Sequence, residues 1–298
     1  MDVLRSALER FGRRAPVGLE AHGEIPKAEK KLREIERETG KRPEGRLPDF
    51  LLLGAQKCGT DYLFRQLSRH PDVEPAVVKE VDFFSKHFGW GVGWYRSCFP
   101  ARADGKPSRA WEASPNNLFY PHAATRAGEV VPAAKLIALL RNPVDRAYSH
   151  YHHQVRMGHE TLPSFEAALE AEEERLRGKR EEMLRDEGYL PLEFPRFSYR
   201  ARGMYADQIE EWRRYFDDEQ LLVVRSEDLY ESPRETITGI VRFLGLPEWN
   251  PEDARLSRAK TPRYSYGPMN PTTRKRLEEY FEPHNQRLYG YLGRDFGW

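Results

Sequence analysis

Leu51-Leu52-Leu53-Gly54-Ala55-Gln56-Lys57-Cys58-Gly59-Thr60 joins an apolar run to a glycine-flanked lysine and then to the start of a helix. Asp49 to Leu53 reads as a buried parallel strand, and Thr60 to Arg69 as a helix with Leu63, Phe64 and Leu67 on one face. A loop at such a junction aims backbone N–H groups, a helix N-terminus and one lysine at a single place, which suits an anion. The spacing differs from that of a nucleotide triphosphatase loop, Gly-x-x-x-x-Gly-Lys-Ser/Thr, because Lys57 precedes the second glycine and Thr60-Asp61 follows it. The plain alternative for Lys57 is a surface lysine after a strand, and the flanking Gly54 and Gly59 favour anion binding over it.

Outward from this stretch, strand-like and helix-like runs alternate from Asp49 onward, which predicts an α/β fold. The expected architecture is P-loop-like and three-layered, a central parallel sheet flanked by helices. The strands are placed at Phe50 to Leu53, Asp72 to Val78, Arg109 to Glu112, Lys135 to Leu140 and Gln220 to Val224. Asn142-Pro143 supplies an N-cap and a first-turn proline for a helix running toward Met157. Tyr205, Ile209, Trp212 and Phe216 repeat at helical spacing, as do Ile237, Ile240, Val241 and Leu244, and both sets predict core faces. Residues 1–45 read as a charged arm containing a solvated helix at Lys27 to Thr39, and residues 46–298 as one domain. Glu170 to Asp186, almost wholly charged, reads as an exposed helix.

The 298 residues are 39% hydrophobic, enough for a sizeable core, and Lys plus Arg number 48 against 47 for Asp plus Glu. This balance gives no global drive toward nucleic acid or an anionic membrane, so any anion site is local. Two cysteines, Cys58 and Cys98, provide no disulfide framework and fit a reducing compartment. With no signal-peptide core and no membrane-length apolar run, the expected location is cytoplasmic, with neither nucleic acid nor membrane as partner.

The strand Leu136 to Leu140 ends in Arg141, where a Mg-dependent phosphoryl-transfer enzyme would place a metal-holding aspartate. With Ser149 on the following helix, Arg141 reads as a second anion site at the same sheet edge, the alternative being a pair with Asp145. Two anion sites without an evident metal site suggest a nucleotide phosphorylated at two separate positions, and no metal is expected.

Three segments carry a wider likeness. Gly54-Ala-Gln-Lys57-Cys-Gly-Thr60, Lys79-Glu80-Val-Asp-Phe-Phe84 and Leu140-Arg141-Asn-Pro-Val-Asp-Arg-Ala-Tyr-Ser149-His-Tyr151 together resemble the PAPS-dependent sulfotransferases, especially the heparan-sulfate-type branch. Trp111-Glu112-Ala113-Ser114-Pro115 and Val224-Arg-Ser-Glu227-Asp228-Leu229 extend the resemblance. It implies that PAPS (3'-phosphoadenosine-5'-phosphosulfate) is the donor and PAP the product. Lys57, Cys58, Gly59, Thr60, Asp61 and Tyr62 would cradle the 5'-phosphosulfate, and Arg141 and Ser149 would hold the 3'-phosphate. Lys260, Arg263 and Tyr264 would belong to a basic segment that closes over the donor. Glu80 would be the general base and Lys57 would stabilise the leaving phosphate, while a Glu80–Lys79 ion pair is the structural alternative for Glu80.

The expected acceptor is a small metabolite or saccharide hydroxyl, with Asp82, Phe84, Trp90 and Tyr205 as candidate contacts. Phe84 and Trp90 belong to an aromatic group after Glu80 that either lines the acceptor pocket or packs in the core. Asp82 and Ala113 depart from a histidine and a lysine usual in the family, which removes cationic character and favours a smaller or less charged acceptor. His150, His152, His153 and His159 cluster without a matching carboxylate or cysteine motif, so packing outweighs metal binding. The competing functions are a Mg-dependent nucleotide or small-molecule kinase and a non-catalytic nucleotide-binding protein.

Overall fold

A computed structural model describes residues 25–102, 104–249 and 266–298. Lys260, Arg263 and Tyr264 lie outside the described residues. Five strands form one parallel sheet: β1 Phe50–Gly54, β2 Val73–Pro75, β3 Arg109–Ala113, β4 Lys135–Leu140 and β5 Leu221–Arg225. Their spatial order is β2-β3-β1-β4-β5. β1 is central and buried throughout, as its unbroken apolar sequence requires of a strand covered on both faces. It pairs with β3 (Leu51 opposite Glu112, Leu52 opposite Ala113) and with β4 (Leu51 opposite Leu136, Leu52 opposite Ile137).

This order has a direct consequence for function. After β1 the chain visits β2 and β3 on one side, and then β4 and β5 on the other. The loops leaving the adjacent strands β1 and β4 therefore diverge, and open α/β sheets bind ligands in the crevice between such loops. Lys57 follows β1 and Arg141 follows β4.

The expected strands and helices are present, with informative differences. The strand expected over Asp72 to Val78 shrinks to Val73–Pro75. Pro75 offers no N–H and sits on the edge strand, beyond which the chain follows β3 only through isolated bonds such as Ala76 N–H to Trp111 O (2.9 Å). The helix Lys27–Thr39 is not solvated all round: Ala28 and Leu32 enter the core, and buried Glu29 accepts bonds from Arg42, Arg33 and the Trp94 indole. The charged run after Glu170 is broken at Arg177-Gly178 into the helices Phe165–Leu176 and Lys179–Arg185. Within it Glu172 is buried, and its carboxylate accepts the N–H groups of Arg200 (2.8 Å) and Ala201 (2.9 Å). Sequence patterning sees charge but not a backbone turn that needs an acceptor.

Candidate active site

The cradle is built from the end of β1 and the helix Thr60–Leu67. Lys57 adopts φ +72° and Gly59 φ +90°, a left-handed pair that turns the chain sharply into the helix. Gly59 is favoured by its φ, and a Cβ there would lie 2.7 Å from the Tyr230 hydroxyl and push that side chain aside. The N–H groups of Lys57, Gly59, Thr60 and Asp61 have no hydrogen-bond partner among the described residues, so several amide donors meet at one turn. Ser226 Oγ donates to Cys58 O (2.8 Å), and Arg141 donates to Lys57 O (3.3 Å).

Lys57 stands among cations. Burial, then Arg156, lower its pKa below the ordinary lysine range, and Arg141 adds to this while Asp61 opposes it. An anion bound here would relieve that repulsion. Ser149 is nearly buried on the helix Pro143–Arg156, and its hydroxyl has no hydrogen-bond partner among the described residues. These free donors, the lysine and Arg141 fit a ligand with separated anionic groups. Cys58 is wholly buried, with its N–H donating to Ala55 O (3.2 Å) and its carbonyl accepting from Ser226, so it offers no surface to a ligand. Tyr62 is also covered, its ring against Tyr230.

Glu80 is reached by a different route. Glu80 (φ +64°), Asp82 (φ +53°) and Lys57 are the non-glycine residues in the left-handed region among the described residues. Each such residue costs on the order of 1 kcal/mol or more, and surrounding bonds must hold it. Glu80 N–H donates to Ala113 O (3.1 Å) and Asp82 N–H to Ser114 Oγ (3.0 Å), so the end of β3 fixes both residues. The Asp82 carbonyl accepts the N–H groups of Lys86 and His87, which starts the single π-helical turn Phe83–His87. The Glu80 carboxylate lies 2.7 Å from Lys79 Nζ, and the same ammonium is 3.1 Å from Asp61 in the first turn of the cradle helix. Base candidate and cradle therefore share one rim.

The four acceptor candidates separate on burial. Trp90 is half-buried and rests on Trp94. Phe84 is wholly buried between Phe83 and Tyr95 and presents no surface to an acceptor, because the π-helical turn directs it into the core. Tyr205 is buried too, and its hydroxyl donates to Arg141 O (2.9 Å), which makes it a prop for the strand end. Asp82 is an internal counterion. It pairs with Lys86 (2.6 Å) and accepts from Asn116, which in turn accepts from buried Arg202. Burial alone would raise the Asp82 carboxyl, but Lys86 and Asn116 outweigh it and hold it below the ordinary range. The Lys86 charge is thus spent on Asp82, and the pair carries no net charge.

Behind this junction Glu112 is fully buried on β3 and accepts from Asn117 (3.1 Å) and Ser114 (3.3 Å). Burial, then the Asp82 charge, push its carboxyl up from 4.5 to about 8. The folded chain keeps a proton that the unfolded chain releases. The stability linked to this group is therefore fully present below pH 4.5 and is lost as pH rises through about 8. In denaturant titrations, Glu112→Gln is expected to gain on the order of 2 to 4 kcal/mol over wild type near pH 9 and nothing near pH 4. An equal change at both pH values would remove Glu112 as the source of the slope.

Residues not singled out from sequence complete the site. Glu227 accepts the Asn142 N–H (2.9 Å), and Tyr230 roofs Gly59. Glu227 lies within the segment Val224 to Leu229 already noted, which was the available signal. His153, for which packing is the expectation over metal binding, bonds Arg156 (2.6 Å), and burial, then Lys57 and Arg156, lower its imidazole to about 4. His150 is buried against Gln154. Among the described residues no group of three or more His, Cys, Asp or Glu side chains is arranged to hold a metal.

A family model described as the sulfotransferase domain matches residues 47–286. The chain belongs to the sulfotransferase domain family. This sulfotransferase-domain chain is 31% identical over 273 residues to heparan sulfate glucosamine 3-O-sulfotransferase 6 of Homo sapiens, covering 85% of the chain and 74% of the relative. It is 31% identical over 270 residues to bifunctional heparan sulfate N-deacetylase/N-sulfotransferase 3 of Homo sapiens, covering 82% of the chain. The chain spans 29% of the length of that second relative. The crystal structure of a sulfotransferase from Alicyclobacillus acidocaldarius superposes with a TM-score of 0.68 at 33% identity, over 84% of this chain and 98% of that one. The α/β fold with a central parallel sheet is therefore the family's fold. Among the described residues of this sulfotransferase domain no helix is long and apolar enough to cross a membrane.

Proposed function

We propose that the protein transfers a sulfuryl group from PAPS to a hydroxyl of a small metabolite or saccharide. The observation that carries this reading is the shared rim. The Glu80 carboxylate and the phosphate cradle are joined through one ammonium, Lys79, at 2.7 Å and 3.1 Å. When bound, the donor supplies the sulfuryl group and a phosphate leaving group. Lys57 and the free amides of Gly59, Thr60 and Asp61 would hold the 5' end and stabilise the negative charge left on the departing phosphate. Arg141 and Ser149 would hold the 3'-phosphate. Glu80 accepts the hydroxyl proton of the acceptor as its oxygen bonds to sulfur and the bond from sulfur to phosphate oxygen breaks. The names of the relatives specify heparan sulfate, which supports a saccharide acceptor. A cytoplasmic setting belongs to the same proposal and is supported by Cys58 and Cys98, both buried free thiols.

Calorimetry tests the donor. PAP is expected to bind at one site with micromolar affinity in the presence of EDTA, whereas binding of Mg-ATP alone would sink the reading in favour of a kinase. Transfer of labelled sulfate from PAPS across an acceptor panel separates the enzyme from a non-catalytic nucleotide binder.

A further inference from the structure

Asp61 poses a problem that the cradle alone does not solve. It is the second residue of the helix Thr60–Leu67, in the turn whose amides are free to meet an anion, and its side chain is 73% exposed. A carboxylate suits a helix N-terminus in an empty protein. Beside a phosphate it repels the ligand.

Lys79 stands between Asp61 and Glu80. Its Nζ is 3.1 Å from Asp61 Oδ1 and 2.7 Å from Glu80 Oε1. Its side chain is only 17% exposed, so the stem is covered and the ammonium is held in place. Burial opposes the charge, but Glu80 and then Asp61 outweigh it and keep the ammonium above the ordinary lysine range. A cation so placed, with one carboxylate from the donor-binding helix and one from the loop after β2, joins two elements that β2 separates along the chain.

We propose that Lys79 is a positioning residue that cancels the charge of Asp61 at the rim of the phosphate cradle and holds the Glu80 carboxylate beside that rim. This rests on the assignments of cradle and base under Proposed function. Lys79 makes a carboxylate tolerable in an anion-binding turn. Without it, two unpaired carboxylates face the donor. Without both Lys79 and Asp61, the repulsion at the cradle turn is gone, but Glu80 has lost the group that fixes it.

The test titrates PAP into wild type, Lys79→Met, Asp61→Asn, the double variant and Lys79→Arg by calorimetry, with thermal unfolding of each variant to check folding. Lys79→Met is expected to weaken PAP binding on the order of tenfold. The double variant is expected to return to within about threefold of wild type, and Lys79→Arg to remain near wild type. A lysine that served folding alone would show a lowered melting temperature and no rescue by Asp61→Asn. With the wild type's acceptor and labelled PAPS, the double variant is expected to transfer on the order of tenfold more slowly despite restored binding. Unchanged PAP affinity in Lys79→Met, a loss that Asp61→Asn does not repair, or full-speed transfer in the double variant overturns the inference. Failure of the wild type to bind PAP would instead overturn the proposed function, a result distinct from wild-type binding that ignores Lys79.

Discussion

Lys57→Ala is expected to weaken PAP binding on the order of a hundredfold and to bring sulfate transfer below detection. Three observations make this the most damaging single change at the donor end. Lys57 lies at the turn where four amides have no partner among the described residues, and its carbonyl is held by Arg141. Its ammonium is raised in energy by burial and by the neighbouring Arg156 and Arg141, a cost that a bound anion reverses. Its backbone sits at φ +72°, and alanine tolerates that conformation no better than lysine, so the backbone cost is common to both. Lys57→Met, which keeps most of the stem, separates loss of charge from loss of packing and is expected to fail almost as badly. Calorimetry gives the answer directly: normal PAP affinity in either variant contradicts the cradle.

Glu80→Gln is expected to leave PAP affinity within about threefold of wild type and to cut turnover on the order of a hundredfold to ten-thousandfold. Glutamine retains the length of the side chain and an oxygen for Lys79, but it cannot take up the acceptor's proton. The effect should fall on kcat, because the backbone bond from Glu80 to Ala113 survives the substitution. Initial rates with labelled PAPS at saturating acceptor are the measurement. Unchanged turnover would mean that another group is the base.

The parts of the site that could be read before the structure are those encoded locally. Lys57 between two glycines, and Arg141 ahead of an Asn-Pro helix start, each carry their meaning within about ten residues, and the sheet order then brings them to adjacent strand ends. Phe84, Asp82 and Tyr205 were placed against an acceptor because they follow or resemble site segments. Their burial depends on tertiary contacts that no local pattern records: Phe84 on Tyr95, Asp82 on Asn116, Tyr205 on Arg141. The ion pair between Lys79 and Glu80 was foreseen as a structural alternative to catalysis. That pair is present, and its ammonium also reaches Asp61 in the first turn of the cradle helix. The solvated helix at Lys27 to Thr39 failed for a similar reason, because a buried glutamate with three partners cannot be told from a surface one by charge pattern.

Glu80 hangs from the last residue of β3, whereas Lys57 leaves the end of β1, and these strands are locked by the pairs Leu51 with Glu112 and Leu52 with Ala113. The backbone positions from which Glu80 and Lys57 project are thus set by two inter-strand intervals, β1 to β3 and β3 to the chain that follows β2, each about 4.8 Å. Peripheral loops do not set those intervals. Changes of length or sequence around Trp90 therefore leave the spacing of these two backbones unaltered. A slip of one residue between β1 and β3 would instead shift Glu80 along the strand direction by about 3.3 Å relative to Lys57 and turn the β3 side chains to the opposite face.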